Sequence, residues 1–251
     1  MNEKGKTITA AVLVIGDEIL SGRTKDRNTG YIAEYLTNIG IELREARVVP
    51  DVEEEIVAAL NALRDRYSYV FTTGGIGPTH DDITADSVAK AFGVPIGEDP
   101  RALAMMMERY LPGDLTAARR RMARIPAGAD LIENPISKAP GFRLGNVIVM
   151  AGVPNIMQAM FDSAAKDLET GVKIIAETIE AGGLPEGRYG TVLGAIAAAH
   201  PEVSIGSYPS FADGRFRNQI VVRGKDVAKI AAAREAIGAM LASFDQPDKP
   251  L

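Results

Sequence analysis

Three short strand-like runs, each followed by a loop or helix-period stretch and the first of them continuously apolar, constrain this chain most. Ile8 to Ile15 is continuous and apolar and stops at Gly16. A strand of that kind is buried on both faces, as in a parallel sheet. A polar loop follows from Asp17 to Arg27, and Asn28 to Asn38 then carries Ile32 and Leu36 on one helical face, with Ile39 beyond and Gly40 as the stop. Ile41 to Val49 reads as a second strand, closed by Pro50. Asp51 stands where an N-cap is wanted, and Glu53, Glu54 and Glu55 fill the first helical turn, where the dipole favours negative charge. Ile56, Leu60 and Leu63 give that helix its buried stripe. Tyr69 to Thr73 is the third strand, broken by Gly74-Gly75, and a further helix is predicted over Thr84 to Phe92. Strict β-α alternation predicts an α/β fold, a mostly parallel sheet with helices on both faces.

The middle of the chain reads as more helical. Asp99-Pro100 is a cap followed by proline at the first helical position, and Leu103, Met106, Met107 and Tyr110 form a stripe. An arginine-rich helix is expected over Leu115 to Arg124, a short strand over Asp130 to Glu133, and a clear strand over Asn146 to Met150. The pattern changes near Glu169. Val172 to Glu180 reads as a strand, Glu186 to His200 as an Ala-rich helix, and Asp226 to Phe244 as a terminal helix before a polar tail. Val203 to Tyr208 and Phe216 to Arg223 read as a hairpin across the turn signal Asp213-Gly214. Two domains are therefore expected, an α/β domain over 1–168 and a small α+β domain over 169–251.

Composition removes several function classes. A net charge of −5 and a pI near 5.2 disfavour nonspecific binding to nucleic acid or anionic membranes. Aromatic residues make up 6% and there is no Trp, which is poor material for stacking bases. The absence of cysteine excludes disulfides, cysteine nucleophiles and thiolate zinc sites and fits a reducing compartment. No apolar run approaches the roughly 20 residues needed to span a bilayer, and the polar start has no signal-peptide core. The expected location is the cytoplasm.

The run Thr72 to Thr84, T-T-G-G-I-G-P-T-H-D-D-I-T, carries the strongest chemical signal. It leaves a buried strand at its carboxyl end, where open α/β sheets bind ligands. Gly74, Gly75 and Gly77 let the backbone approach a phosphate, Thr73, Thr79 and Thr84 add hydroxyls, and Pro78 stiffens the turn. Of Asp81 and Asp82, one is expected to cap the helix and the other to hold a divalent cation against a pyrophosphate. Gly16-Asp17-Glu18, followed by Asp26 and Asn28, leaves the first strand on the same edge if the sheet is parallel. Two readings stay open there. The acids either are solvated loop charges with Asp26 capping a helix, or converge with Asp81 and Asp82 around a metal. Gly152 and Pro154 leave the last strand of the domain toward the same edge. Arg119, Arg120, Arg121 and Arg124 read either as a solvated helix face or as a phosphate clamp. Walker, dinucleotide-fingerprint and nucleophile-elbow motifs are absent, so water or a second substrate acting on a phosphate is the expected chemistry.

G-D-E-I-L-S-G with D-R-N-T-G, then T-T-G-G-I-G-P-T-H-D-D-I-T, resembles the molybdenum-cofactor-biosynthesis (molybdopterin-binding) domain. The version it resembles more closely occurs in competence/damage-inducible protein A and in the N-terminal domain of eukaryotic FAD synthases. N-P-I-S-K-A-P-G-F at Asn134 to Phe142 and A-G-V-P at Ala151 to Pro154 continue the match, and I-G-S-Y-P-S-F at Ile205 to Phe211 looks like the small domain that follows. The resemblance implies a three-layer α/β/α domain, homo-oligomeric, binding molybdopterin or an adenine nucleotide across the glycine loop. It implies metal-dependent pyrophosphate cleavage of ADP-ribose or FAD, with Mg, Mn or Co as the divalent metal. By motif position Asp26 and Asp82 match acids important in molybdopterin adenylylation, and Asp17 and Glu18 match first-loop acids. Ala151 and Ile156 depart from the family's proline and glutamate, and the arginine cluster stands where many competence proteins have Asn and Gln.

The expected function is thus a divalent-metal-dependent nucleotide pyrophosphatase. Asp26 and Asp82 would be its catalytic acids, and Asp17, Glu18 and Asp82 its metal ligands. Gly16, Asn28, Thr73, Gly74, Gly75, Gly77, Pro78, Thr79, Thr84, Gly152 and Pro154 would hold the ligand. The alternatives are a molybdopterin-binding or molybdopterin-adenylylating protein and a non-catalytic binding module of the same fold.

Overall fold

The computed structural model describes residues 6–212 and 215–244. The turn expected at Asp213-Gly214 and the polar tail after Phe244 lie outside the described residues. The chain divides into two compact units, 1–172 and 173–251.

In the first unit β1 (Ile8–Ile15) is followed by a short helix α1 (Asp17–Leu20), α2 (Asn28–Asn38), β2 (Ile41–Val49), α3 (Glu53–Arg64), β3 (Tyr69–Thr73) and α4 (Thr84–Phe92). Then come β4 (Ile96–Glu98), α5 (Pro100–Met107), α6 (Ala117–Arg121), β5 (Arg124–Pro126), β6 (Asp130–Ile132), β7 (Gly141–Leu144), β8 (Val147–Met150) and α7 (Pro154–Ala164). The main sheet runs β2-β1-β3-β8-β7-β6. The first four strands are parallel and the last two antiparallel.

The layers follow from the alternation along β1. Ala11, Leu13 and Ile15 pack on one side against Ile56, Leu60 and Leu63 of α3 and Val88 of α4. Ala10, Val12 and Val14 pack on the other against Ile32 and Leu36 of α2 and Met157, Met160 and Phe161 of α7. Both faces are covered, which explains why the strand reads as a continuous apolar run. The result is the expected three-layer α/β/α arrangement. The central strand pairs hold the sheet together, and the aromatic rings of Phe161, Phe71, Tyr31 and Tyr35 close the second face, with the Phe161 ring 5.0 Å from Tyr35 and 5.2 Å from Phe71.

Several elements differ from the sequence expectation. The arginine-rich helix is shorter than Leu115 to Arg124, because the chain turns at Met122 and Arg124 enters β5, which pairs antiparallel with β4. Strand β7 was not foreseen; its residues Gly141 to Leu144 follow a proline and form a hairpin with β8. Asp51 does not cap α3. Val52 holds the cap position without a side-chain bond, and Asp51 turns instead toward the loop after β1.

The second unit contains β9 (Ile175–Gly182), α8 (Glu186–Ala199), β10 (Ser204–Ala212), β11 (Arg215–Gly224) and α9 (Val227–Phe244). Its antiparallel sheet has the order β10-β11-β9. Ile220 and Val222 of β11 pack on Tyr189 and Leu193 of α8 and on Ile230, Ala233 and Ile237 of α9. Among the described residues no helix is long and apolar enough to cross a membrane.

Phe161 is fully buried where α7, α2 and β3 meet. Phe161→Ala is expected to destabilise the first unit by about 3–5 kcal/mol, read from denaturant unfolding.

Candidate functional site

Because β1, β2, β3 and β8 run parallel, their carboxyl ends share one edge. Gly16, Asp51, Gly74 and Ala151 each follow one of these strands directly or within two residues. The chain leaves β1 toward β2 on one side and returns to β3 on the other, so the strand order switches between β1 and β3. A crevice at such a switch point is where open α/β sheets place ligands.

The glycine loop is fixed from beneath. Thr84 is fully buried, and it donates its N–H to Gly75 O at 3.0 Å and its hydroxyl to Gly74 O at 2.9 Å. The hydroxyl of Thr84 therefore shapes the loop. Gly74 and Gly75 have φ of 103° and 65°, and a Cβ on Gly74 would strike Ile15 O while one on Gly75 would strike Thr84 Oγ1. Gly152 lies against Gly74, with space for a Cβ only 3.2 Å from the Gly74 Cα. The Asp82 carboxylate braces the far side by accepting the Thr79 N–H at 2.8 Å and the Thr79 hydroxyl at 2.5 Å. Among the described residues the N–H groups of Gly75, Ile76 and Gly77 have no protein acceptor, and these three residues line an open cleft of about 520 Å³. Pro78, Asp82, Glu18, Gly152 and Pro154 are also on its wall. A volume of this size is ordinary for a small-molecule site.

The acids do not form one group. Asp26 accepts the N–H groups of Asn28 at 2.8 Å and Thr29 at 3.2 Å, and so caps the start of α2. Asp17 is exposed, and its N–H donates to Asp51 Oδ2 at 3.0 Å. The Glu18 carboxylate folds over Gly16. Burial pushes the Asp51 carboxyl above the ordinary carboxylate value, against the lowering effect of the Asp17 N–H, and the charges of Asp17, Glu18 and Asp81 raise it further. The structure thus brings Asp51, read from sequence only as a cap, to the same rim as Asp17, Glu18 and Asp81. Among the described residues no three His, Cys, Asp or Glu side chains are grouped to hold a metal ion. His80 is almost wholly exposed beside Asp81.

A smaller cavity of about 50 Å³ opens beside the cleft between β1 and β3, lined among others by Asp26, Asn28, Thr73, Gly74 and Gly152. Asn28 is buried at 6% exposure and Thr73 at 1%. The arginine run separates into different roles. Arg119 donates to Asp114 O and lies over the Tyr110 ring, Arg120 pairs with Glu98, and Arg124 pairs with both oxygens of Asp86 at 2.6 and 2.9 Å. Arg121 and Arg124 both line a pocket with Gly75, Gly77 and Asp82; among the described residues Arg124 is paired with a carboxylate and Arg121 is not. Its protein acceptor there is the Asp82 carbonyl at 3.4 Å, and its buried Nε has none.

Asn134 and Ser137 also reach the cleft. Asn134 is buried and uses its whole amide on the turn Pro135 to Ala139, bonding Ile136, Ser137 and Ala139. The turn-forming string N-P-I-S-K-A-P was the available signal for this wall.

A family model described as "Probable molybdopterin binding domain" matches residues 11–170. The chain belongs to the molybdopterin-binding domain family. A second model, "FAD synthase, middle domain", matches residues 173–246 of this family member. A protein of Aeropyrum pernix is 32% identical over 94% of this chain and 91% of its own length. A CinA-like protein of Citrifermentans bemidjiense is 40% identical, over 64% of this chain and 40% of its own. The chain spans a little under two thirds of a Thermoplasma acidophilum relative, 64%, at 39% identity. The crystal structure of the protein CinA, of unknown function, from the same organism superposes with a TM-score of 0.61 at 39% identity, covering 64% of this chain and 98% of that one.

Two outcomes test this geometry. Gly75→Ala forces a left-handed φ and a collision with Thr84, and is expected to cost about 1–3 kcal/mol in denaturant unfolding. Asp51 binds its proton more readily folded than unfolded, so its contribution to stability is present in acid and is lost as pH rises from the ordinary carboxylate value through its raised one. Asp51→Asn keeps an oxygen for the Asp17 N–H. It is expected to raise the thermal midpoint at neutral pH, with the gain vanishing in acid; a pH-independent change would separate Asp51 from the rim charges.

Proposed function

We propose that the cleft binds a phosphate-bearing small molecule of the molybdopterin or nucleotide class, with the phosphate against the glycine loop. The observation that carries this is the set of N–H groups on Gly75, Ile76 and Gly77 without protein acceptors among the described residues, three residues that line both the cleft and the adjoining pocket that holds Arg121. Successive backbone N–H groups and a guanidinium form a cradle for phosphate oxygens. Membership of the molybdopterin-binding family makes a pterin phosphate the first ligand to try.

A second reading is cleavage of a phosphoanhydride in ADP-ribose, FAD or a similar dinucleotide. The match of the second unit to a FAD synthase middle domain and the acids at the rim favour it. Mg²⁺ commonly takes one or two carboxylates together with phosphate oxygens. Glu18 and Asp82, both on the cleft wall, fit that partial role, whereas Asp17 is not on that wall. A divalent ion would neutralise the phosphate and the rim acids. Asp82 and Asp26 meanwhile keep their loops in place through the hydrogen bonds already described.

Calorimetric titration with molybdopterin, ADP-ribose, FAD and pyrophosphate tests the first reading. Binding of at least one, weakened about tenfold or more in Arg121→Ala, is the expected result. No binding by any of them would sink it. AMP release from ADP-ribose or FAD with Mg²⁺, Mn²⁺ or Co²⁺, abolished by chelator and by Asp82→Asn while ligand affinity persists, would establish the hydrolytic reading. Binding without release leaves a pterin- or nucleotide-binding protein.

A further inference from the structure

The cleft has a further wall that the phosphate cradle does not use. It is formed by the turn Asn134 to Ala139 and by the start of α7. Asn134 is 2% exposed, and hydrogen bonds fix its amide at both ends. Its Oδ1 accepts the N–H groups of Ile136 and Ser137, both at 3.1 Å. Its Nδ2 donates to Ser137 Oγ at 2.5 Å and to Ala139 O at 2.9 Å. The residues just after α5 hold the same turn, for Arg109 donates to Ile136 O and Glu108 pairs with Lys138. Lys138 has a φ of 63°, a left-handed conformation that a non-glycine residue keeps only where its surroundings impose it.

The consequence falls on Ser137. A hydroxyl has two acceptor positions and one proton to give. Ser137 Oγ already accepts from Asn134 Nδ2 and, at 3.4 Å, from the Ala139 N–H. Its own O–H is the group left over. That O–H has no protein acceptor among the described residues, and Ser137 is half-buried on the cleft wall. The neighbouring wall is apolar, made by Met122, Val153 and Ile156, with Val153 55% exposed. The charged residues that line the cleft, Glu18 and Asp82, are both acids. A second anionic group on a ligand finds no counter-charge there, whereas an uncharged apolar group gains by covering the wall.

We propose that Ser137 is a specificity-determining residue of the cleft. It donates its O–H to an acceptor oxygen or nitrogen on an uncharged ring of the ligand that rests against Met122, Val153 and Ile156. The inference rests on the phosphate reading of the glycine loop and adds the group that this wall selects. A ring that covers the wall without offering an acceptor leaves the Ser137 proton unpaired.

The test titrates the full chain with ribose 5-phosphate, AMP and FMN. All three carry a phosphate, and the last two add an uncharged ring with acceptors. At least one of AMP and FMN is expected to bind about tenfold or more tightly than ribose 5-phosphate. Ser137→Ala is expected to weaken that ring-bearing probe about three- to tenfold and to spare ribose 5-phosphate, and Ser137→Thr, which keeps the hydroxyl, to restore the difference. Val153→Ser places a good capping residue at the exposed N-cap of α7, so it tests the apolar wall without threatening the fold, and it should narrow the same ratio. Ring-bearing probes that bind no better than ribose 5-phosphate overturn the inference and leave the phosphate reading standing. A ratio untouched by Ser137→Ala or by Val153→Ser does the same, and so does an equal loss of all three probes in Ser137→Ala, the mark of a merely structural turn. Binding of none of the three by wild type overturns the phosphate reading and the inference together.

Discussion

Thr84 gives both its N–H and its hydroxyl to the carbonyls of Gly74 and Gly75, and the site depends on this pair of bonds. With those carbonyls held toward the buried side chain of the helix start, the N–H groups of Gly75, Ile76 and Gly77 are left without a protein acceptor among the described residues. The glycines are required for two reasons. Their backbone conformation has positive φ at Gly74 and Gly75, and the space that a side chain would fill is occupied by Ile15 O and Thr84 Oγ1. The Gly74 N–H bonded to Met150 O ties the same loop to the end of β8, so the last strand of the sheet sets the height of the cradle. Rigid backbone donors of this kind need no reorganisation when an anion arrives.

Much of this was legible in sequence because parallel strands leave a simple mark. Ile8 to Ile15 and Tyr69 to Thr73 read as buried strands since both faces of the sheet are covered, and their glycine endings fell at the ligand edge. What was hidden depended on contacts between segments distant in the chain. Asp51 carries the local signature of a helix cap, yet the competing Asp17 N–H, 34 residues away, takes its carboxylate. Strand β7 is short and interrupted by no clear period, so only its pairing with β8 and β6 identifies it. The arginine run gave a charge pattern without a partner list. Glu98 and Asp86, both outside the run, neutralise Arg120 and Arg124, while Arg119 bonds the uncharged Asp114 carbonyl.

That division among the arginines has an electrostatic consequence. A bidentate pair such as Arg124 with Asp86 brings no net charge to the loop, and Arg120 with Glu98 is equally balanced. Arg121, like Arg119, has a carbonyl as its acceptor, but its Nε is also buried without one. A partly buried guanidinium without a counter-ion is costly and favours an incoming anion. The β1 side carries the opposite sign through Asp17, Glu18, Asp51 and Asp81; burial raises the Asp51 carboxyl, and the charges of the other three raise it further. The glycine loop therefore borders both a pocket lined by Arg121 and Arg124 and a cleft whose wall carries Glu18 and Asp82.

A phosphate placed near the acidic rim would meet repulsion, while the same group over Gly75 to Gly77 meets N–H dipoles with Arg121 behind them. Gly74 also borders the crevice between β1 and β3, where Gly152 and the Asn28 amide close the end. Both ends are built from strand termini and the first turns of helices. The distance between them is set by the pairing of β1 with β3, Val14 opposite Thr73. A sheet register thus fixes the span between the glycine loop and the buried Asn28 amide, which ties that dimension of the cleft to the most rigid part of the fold.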